Sequence, residues 1–549
     1  MSSATHSIGP TFNSATLTLY PADLLYPAQL IDQVLKTKPI PVQSLANQWI
    51  GINIIPKAPS DTWLINGLSL YITGLYLKAI WGTNDYRYWI KKEIIKCVEL
   101  DVDKPPICQP GCHCRSTLKR SGGGTSLGLS RVIPKIFLPA ISGEMRDNML
   151  STSSFLRIFF QVTAYFNRKK LTHELTLRQL NRSKQYYQDD WTTWAEKRNV
   201  KPVDRFEGQM SNRIQECDGI PYEHVLDIKE PFKRYELPSN HKNEKFKRSS
   251  RRYASSNQAP ADLTENSSET FTYPPWERSQ EERDRWKVRD WMEEEDLFIT
   301  QSNVEWIHLD VEVEWICDFR FEMKEFMWLE QLQRDRNVVA QLQAVKALKT
   351  LPSKIVSSHL CRVVLIPESC FRIRVEAVLA LVSCANIEPD SPWNIRAIPK
   401  PNQFNNFADY FIRKAIVVAL SHVRDQTNNL PSVCHQFFLD QLVYNDSSLN
   451  AYSDAHYIAT TIGSMTDSLI HLANNGGREQ LGEIFGTKAL STGVLPDLER
   501  TCDKRALLMI NKLERFFMAD RLVPSYRNLI TMAVIEFSAT LVRFCLIRS

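Results

Sequence analysis

The stretch VQSLANQWIGINIIPKAPSDTWLINGLS, Val42 to Ser69, opens a block in which apolar residues fall at the spacing of a helical face. Trp63, Leu64, Leu68, Tyr71, Leu75 and Leu77 recur mostly at threes and fours, and the pattern holds from Gln43 to Glu99. Within it Gln43 and Asn47 stand one turn apart on one face, and eighteen residues separate Asn47 from Asn66. The block stops at DVDKPPICQPGCHCRSTLKRSGGGTSLG, residues 101–128, where prolines, glycines and serines leave too little apolar surface for a core. A loop insertion is expected near 101–130.

Downstream the period changes from helical to alternating. In FQVTAYFNRKKLTHELTLRQ, Leu171, His173, Leu175 and Leu177 fall on one side of an extended chain and Thr172, Glu174, Thr176 and Arg178 on the other, which predicts a β-hairpin turning near Asn167 to Lys170. In VEWIHLDVEVEWICDFRFEM, Ile307, Leu309, Val311, Val313, Trp315, Phe319 and Phe321 stay in phase over a length that predicts two strands. Together these suggest one antiparallel sandwich interrupted by a long polar and basic insertion, Asn181 to Thr300. From Glu325 every segment is helix-sized. VVAQLQAVKAL places Val338, Leu342, Val345 and Leu348 on one stripe, and similar stripes recur in FRIRVEAVLALV, YFIRKAIVVALSHV and YRNLITMAVIEF. Helices of this length stacking on their neighbours predict a HEAT-like α-solenoid, with Ser353, Ser432 and Ser525, each after a proline, as candidate N-caps.

At 549 residues the chain is long enough for several cores. The composition, 43% hydrophobic and 23% charged, is ordinary for a soluble protein, and the longest late apolar run, MAVIEFSATLV, is broken by Glu536, so no membrane span is expected. MSSATHSIGPTF has neither a basic start nor an apolar core, which points to an intracellular chain. Cysteines such as Cys361, Cys384 and Cys545 sit singly among apolar residues and read as reduced core thiols. A net charge of +5 is too small to argue for a partner.

The spacing around Gln43 is that of a zinc-peptidase frame. In an H-E-x-x-H helix two imidazoles at i and i+4 face one metal, and in gluzincins a glutamate from the next helix completes the site. Here the ligand positions hold Gln43, Asn47 and Asn66, and Ser44 stands where the general base would be. Neutral amides are weak zinc ligands and bring no charge to offset a dication. A serine hydroxyl does not deprotonate a metal-bound water near neutral pH. No metal, no cofactor and no small-molecule substrate is expected.

More than the frame agrees. GPTFNSATLTLYPADLLY, Gly9 to Tyr26, resembles the G-x-M-E-N exopeptidase motif and following strand of aminopeptidase N type enzymes, with Phe12 at the glutamate that would anchor a substrate amine. That resemblance also implies a catalytic tyrosine downstream, yet none occurs between Tyr88 and Tyr165. QSLANQW, WLINGLSLYITGLYLKAIWGTNDYRYWIKKE, AYFNRKKLTHELTLRQ, FMWLEQLQRDRNVVAQ, YNDSSLNAYSDAHY and VPSYRNLIT are similar, in order, to an inactive branch of those peptidases, the family of the second TBP-associated factor of TFIID. The resemblance implies a non-catalytic nuclear scaffold that supports core promoter (initiator) recognition and RNA polymerase II preinitiation complex assembly. The partners it implies are other TFIID subunits, especially the largest TBP-associated factor and the eighth, histone-fold one, and core promoter DNA, with no membrane. It further implies a partial chain or partial gene model, since the family's first β-domain, further solenoid after Ser549, and residues between SSFLRI and FFQVTAYF are absent. Two readings stand beside it: an inactive aminopeptidase fold serving an unrelated assembly, and an active zinc aminopeptidase. The expected fold is multidomain α+β: a remnant of a gluzincin-like helical catalytic domain at 1–157, an antiparallel β-sandwich at 158–324 interrupted by the insertion 181–300, and a HEAT-like α-solenoid at 325–549.

Three other constellations bear on function. Cys108, Cys112, His113 and Cys114 crowd together without the paired knuckle spacing of a zinc site, so a reduced, exposed loop is the plainer reading beside a metal site. Trp276, Trp286 and Trp291 among alternating charges fit either a docking helix or a helix folded back on its own sandwich. His173 and His308 lie in strand patterns without a paired acid or cysteine and receive no chemistry. In HKNEKFKRSSRR, Lys242, Lys245, Lys247, Arg248, Arg251 and Arg252 face a single Glu244, a segment suited to phosphate contact, to nuclear import, or to simple solvation.

Overall fold

The computed structural model describes residues 11–56, 62–101, 170–171, 208–217, 219–228, 233–238, 302, 304–311, 313, 319–385, 401–424, 430–474 and 504–543. Strands β1 (Phe12–Ser14) and β2 (Leu17–Leu19) form an antiparallel hairpin, with Phe12 opposite Leu19 and Asn13 opposite Thr18. Helices α1 (Ile31–Thr37), α2 (Pro39–Trp49), α3 (Thr62–Trp81) and α4 (Thr83–Asp101) follow. Pro39 opens α2, where its missing N–H has no helical partner to lose. α2 packs on α3, and α3 on α4. The α3–α4 turn passes through Gly82 at φ 86°, a left-handed geometry that glycine adopts without steric cost. Gly74 lets the two helices approach closely, because a Cβ there would meet Tyr86 Cε2 at 3.0 Å. α1 extends the helical block upstream of Gln43; its seven residues are too few for a period to register in sequence.

Strands β3 (Ile55–Pro56) and β4 (Lys170–Leu171) pair in parallel. The described part of the expected hairpin near Asn167 to Lys170 therefore pairs with the α2–α3 connection; the rest of that hairpin, with His173, lies outside the described residues. Strands β5 (Gly208–Glu216), β6 (Pro221–Ile228) and β7 (Val304–Leu309) form an antiparallel sheet with β5 in the centre. This corrects the expectation that 181–300 is an insertion outside the sandwich, since both β5 and β6 fall within it. The strands escape a hydrophobic pattern because they bury polar groups: Asn212, Gln215 and Glu216 are buried beside Met210 and Ile214.

The expected phase of the third strand is also corrected. Trp306 and His308 are buried, whereas Ile307 and Leu309 are half-buried, so both faces are covered. The reason is helix α5 (Glu325–Arg334), which packs on β7, with Trp306 Nε1 donating to Asp335 Oδ2 at 3.2 Å and Arg334 paired with Glu305 at 3.0 Å. After β7 the chain turns at Asp310, φ 52°, and Val313 leaves the sheet to join Tyr86, Ile90, Ile94 and Val339.

The repeats continue with α6 (Val338–Leu348), α7 (Lys354–Leu365), α8 (Phe371–Ala385), α9 (Phe407–Ser421), α10 (Ser432–Val443), α11 (Ala455–Asn474), α12 (Lys504–Leu522) and α13 (Leu529–Arg543). The predicted stripe on α6 is buried throughout, with Leu342 1% exposed. Neighbours pack as pairs, α5 on α6, α7 on α8, α8 on α9 and α12 on α13. Of the three proline-serine caps, Ser353 accepts from Val356 N at 3.1 Å as expected. Ser432 is corrected: Pro431 itself is the N-cap of α10, with Ser432 already helical. Ser525 is the N-cap residue of a 3-10 turn, Tyr526–Asn528, without a side-chain bond to that turn, and its hydroxyl instead accepts from Ile530 N in the first turn of α13 at 3.5 Å. Capping elsewhere falls to Asn337, which accepts from Val339 N, and Asn406, which accepts from Ala408 N. No helix among the described residues is long and apolar enough to cross a membrane.

Beside the cluster around Val313, two larger hydrophobic cores form among the described residues. One gathers Trp328, Leu342, Val356 and Ala377 from α5 to α8, and the other Phe404, just before α9, with Phe438, Ile462 and Phe537 from the later helices. Ile31 of α1 belongs to the second core, and Tyr88 of α4 packs against the first. Replacing Leu342 with Ala is expected to cost about 2 to 5 kcal/mol through the cavity it leaves in the first core, read from the midpoint of urea denaturation with the m-value unchanged.

Candidate functional site

The amide frame is assembled by the α2–α3 pair. Gln43 and Asn47 lie one turn apart on α2, and Asn66 lies in the first turns of α3; all three side chains are half-buried. Ser44 is 1% exposed, turned into the block. Asn47 Oδ1 accepts a hydrogen bond of 2.5 Å from Ser69 Oγ, which ties the two helices together at the frame. Ser69 is itself buried, and its carbonyl accepts from Thr73 Oγ1 at 2.9 Å. The set contains amides and hydroxyls but neither an imidazole nor a carboxylate. It can exchange hydrogen bonds, but it offers no charge to a dication and no base near neutral pH. Among the described residues no group of three His, Cys, Asp or Glu side chains could hold a metal ion.

Phe12 does not face the frame. The hairpin is fastened to α2 by Gln48, whose Oε1 accepts from Thr16 N at 2.9 Å and whose Nε2 donates to Thr18 Oγ1 at 3.1 Å. Thr18 therefore marks the face toward α2, and Phe12, opposite Leu19, is on the outward face with 67% exposure. Gln48 sits inside QSLANQW and was legible only as a helix residue, since a long-range tie carries no local signal. The tyrosines of α3 and α4 are neutral: burial pushes the Tyr86 phenol up to about 12 and raises Tyr71 as well, with Tyr86 adding to the effect.

His308 lies in a seam of the fold, on β7 opposite Arg213 of β5, fully buried, and neither ring nitrogen has a hydrogen-bond partner among the described residues. Burial, then the charges of Arg213, Arg87 and Lys91, push it down to about 3, so it is a neutral ring. The cluster Cys108, Cys112, His113 and Cys114, the tryptophans Trp276, Trp286 and Trp291, and the basic run Lys242, Lys245, Lys247, Arg248, Arg251 and Arg252 lie outside the described residues.

A second polar assembly joins distant parts of the chain and has no sequence signature. Asp32 on α1 is 5% exposed; Lys414 Nζ on α9 is 2.5 Å from Oδ1, Tyr410 donates to Oδ2, and His456 Nδ1 on α11 is 3.9 Å away. Burial would raise the Asp32 pKa, but Lys414 and His456 outweigh it and hold the carboxyl below its ordinary value.

Comparison with known proteins places these elements. A family profile described as "TAF2 Ig-like domain" matches residues 158–324, and one described as "TAF2-like, TPR repeats" matches residues 325–549. The chain is 32% identical to "Transcription initiation factor TFIID subunit 2" of Schizosaccharomyces pombe, over 95% of this chain and 49% of that protein. The proteins of the same description from Saccharomyces cerevisiae and Danio rerio are 28% and 25% identical, over 82% and 95% of this chain. The chain belongs to the TAF2 family. It spans about half or less of the length of these relatives, 49%, 38% and 45%. The family profile describes the helical pairs as TPR repeats, where apolar stripes alone suggest HEAT-like ones; both stack antiparallel helix pairs, so their periodicity is the same.

The seam histidine sets an acid limit on stability. His308 is pushed from an ordinary 6.5 down to about 3, and His435 down to about 4 by burial. The unfolded chain takes up these protons and the folded one does not, so this contribution is present above 6.5 and lost as pH falls toward the lower values. Unfolding free energies from urea titrations are expected to fall below the ordinary histidine range by up to ~1.4 kcal/mol per pH unit for each ring. His308→Gln should make that slope shallower; an equal slope in the variant would count against the seam as its source.

Proposed function

We propose that the chain acts as a non-catalytic scaffold component of TFIID, working in the nucleus in core promoter (initiator) recognition and RNA polymerase II preinitiation complex assembly. The observation that carries this reading is its likeness, over 95% of its length, to the TFIID subunit 2 of Schizosaccharomyces pombe. The partners proposed on that basis are other TFIID subunits, above all the largest TBP-associated factor and the histone-fold eighth one, together with promoter DNA. The domain division proposed is a degenerate aminopeptidase-like domain at 1–157, a β-sandwich domain at 158–324 and a repeat domain at 325–549. Gln43, Ser44, Asn47 and Asn66 on packed helices support the pseudo-peptidase part, because the frame keeps its placement on two helices while its groups cannot activate water. A repeat array supplies broad surfaces for protein contact, which suits a scaffold.

Affinity capture of the tagged chain from nuclear extract is expected to recover TFIID subunits in stoichiometric amounts; recovery of an unrelated assembly would favour the alternative scaffold. Elemental analysis is expected to find no zinc bound through Gln43, Asn47 and Asn66, and no chelator-sensitive aminopeptidase activity. Rebuilding the frame by Gln43→His, Ser44→Glu, Asn47→His and Asn66→Glu should not yield efficient exopeptidase turnover, because Phe12 supplies no amine anchor.

For DNA, the six cations from Lys242 to Arg252 are the proposed phosphate contacts. Their joint replacement by Ser should lower promoter affinity of the assembled complex and reduce the slope of log K against log salt by up to about five. The loss should be similar on initiator and scrambled sequences, and an unchanged slope with normal assembly removes this segment from DNA contact.

A further inference from the structure

The helices that carry the amide frame are joined at both ends to the repeat array, and the two junctions lie on either side of one joint. At the start of the block, α1 sends Asp32 into the seam between α9 and α11, with Lys414 2.5 Å away, while Ile31 enters the second core. At its end, α4 meets α8: Lys92 Nζ is 2.6 Å from Glu376 Oε1, Tyr88 donates to the same oxygen at 2.8 Å, and Arg372 pairs with Asp85. α8 and α9 pack directly on each other, and this contact is where the two cores meet: α9 gives Tyr410 and Val417 to one, and Ile412 and Ala415 to the other. Between the two anchors run α2 and α3, fastened by the Ser69–Asn47 bond.

In a repeat array each unit touches only its neighbours, so every interface is a place to flex. Here a second path of packed helices runs from one core to the other in parallel with the α8–α9 contact. We propose that α2 and α3 serve as a strut that sets the spacing and angle of the two halves of the repeat array across the α8–α9 joint. The anchors suit a strut. Asp32 is buried, and removing a partner from a buried ion pair leaves an uncompensated charge, so that anchor resists sliding and either holds or lets go. The strut explains why packed helices persist at a frame whose side chains carry no catalytic group, and it rests on these contacts whether or not the frame descends from a peptidase.

Hydrogen–deuterium exchange on the full chain tests it. Ser69→Ala loosens the strut at its middle by removing the Asn47 bond and touches neither anchor nor joint. It is expected to speed amide exchange about tenfold in α8 and α9 as well as in α2 and α3. Asp32→Asn and Glu376→Gln each weaken one anchor, the second leaving the Arg372–Asp85 pair and the packing of α4 on α6 in place, and in the double variant the rise in exchange at the joint should be less than the sum of the two single effects, because a strut already slack at one end transmits less from the other. Exchange that rises only in the helices bearing each substitution, with anchor effects that simply add at the joint as independent sites do, overturns the proposal. Should Asp32→Asn fail to fold, Ser69→Ala and Glu376→Gln still decide it through the remote response in α9.

Discussion

Asp32 is a carboxylate placed under a cover of helices that lie some 380 residues further along the chain, with Tyr410 378 and Lys414 382 positions away. Burial by itself favours the protonated form. Lys414 and His456 reverse that preference, and the bonds from Lys414 and Tyr410 hold the charge in place. Because the folded carboxyl titrates below its ordinary range, its contribution is present above that range and fades as pH falls through the folded value. The consequence is architectural. Helix α1 and the repeats from α9 onward form one packed body, and Ile31 completes a core whose other described members begin at Phe404. Contacts of such sequence separation form late and at a large loop-closure cost.

The amide frame follows from the same packing. α2 and α3 hold Gln43, Asn47 and Asn66 on one helix pair because Asn47 accepts from Ser69 and the pair is closed at the far end by α4. None of these groups carries charge, so the frame places no electrostatic demand on its surroundings, and the ionic work of the block moves to its ends, at Asp32 and at Asp85, Lys92 and Glu376. The sheet shows the opposite economy: it buries Asn212, Gln215 and His308, and the end of α5 takes up two further polar groups of β7, through Trp306 to Asp335 and Arg334 to Glu305.

What could be read from the chain alone was local and periodic. The stripe Val338, Leu342, Val345 and Leu348 marks a buried helical face wherever it occurs, and the structure buries it. The helical block from Gln43 was legible for the same reason, as was the neutral chemistry of Gln43, Ser44, Asn47 and Asn66, which is a property of side-chain type. Ser353 as a cap was legible because its bond to Val356 N spans three residues.

Tertiary structure decided whatever depended on a partner distant in sequence. β5 and β6 resembled a polar insertion because their buried positions are filled by Asn212, Gln215 and Glu216, and only the neighbouring layers show that these are interior. Trp306 and His308 fall out of phase with the apolar side of their strand, and only the packed structure shows them interior, Trp306 through its bond to Asp335 at the end of α5. Gln48 and Asp32 looked like ordinary helix polar residues; their roles exist only once the β1–β2 hairpin and α9 are brought against them. Periodicity reports which face of an element is apolar, but the free energy of a polar group is set by what lies across from it, and that is a matter of three-dimensional placement.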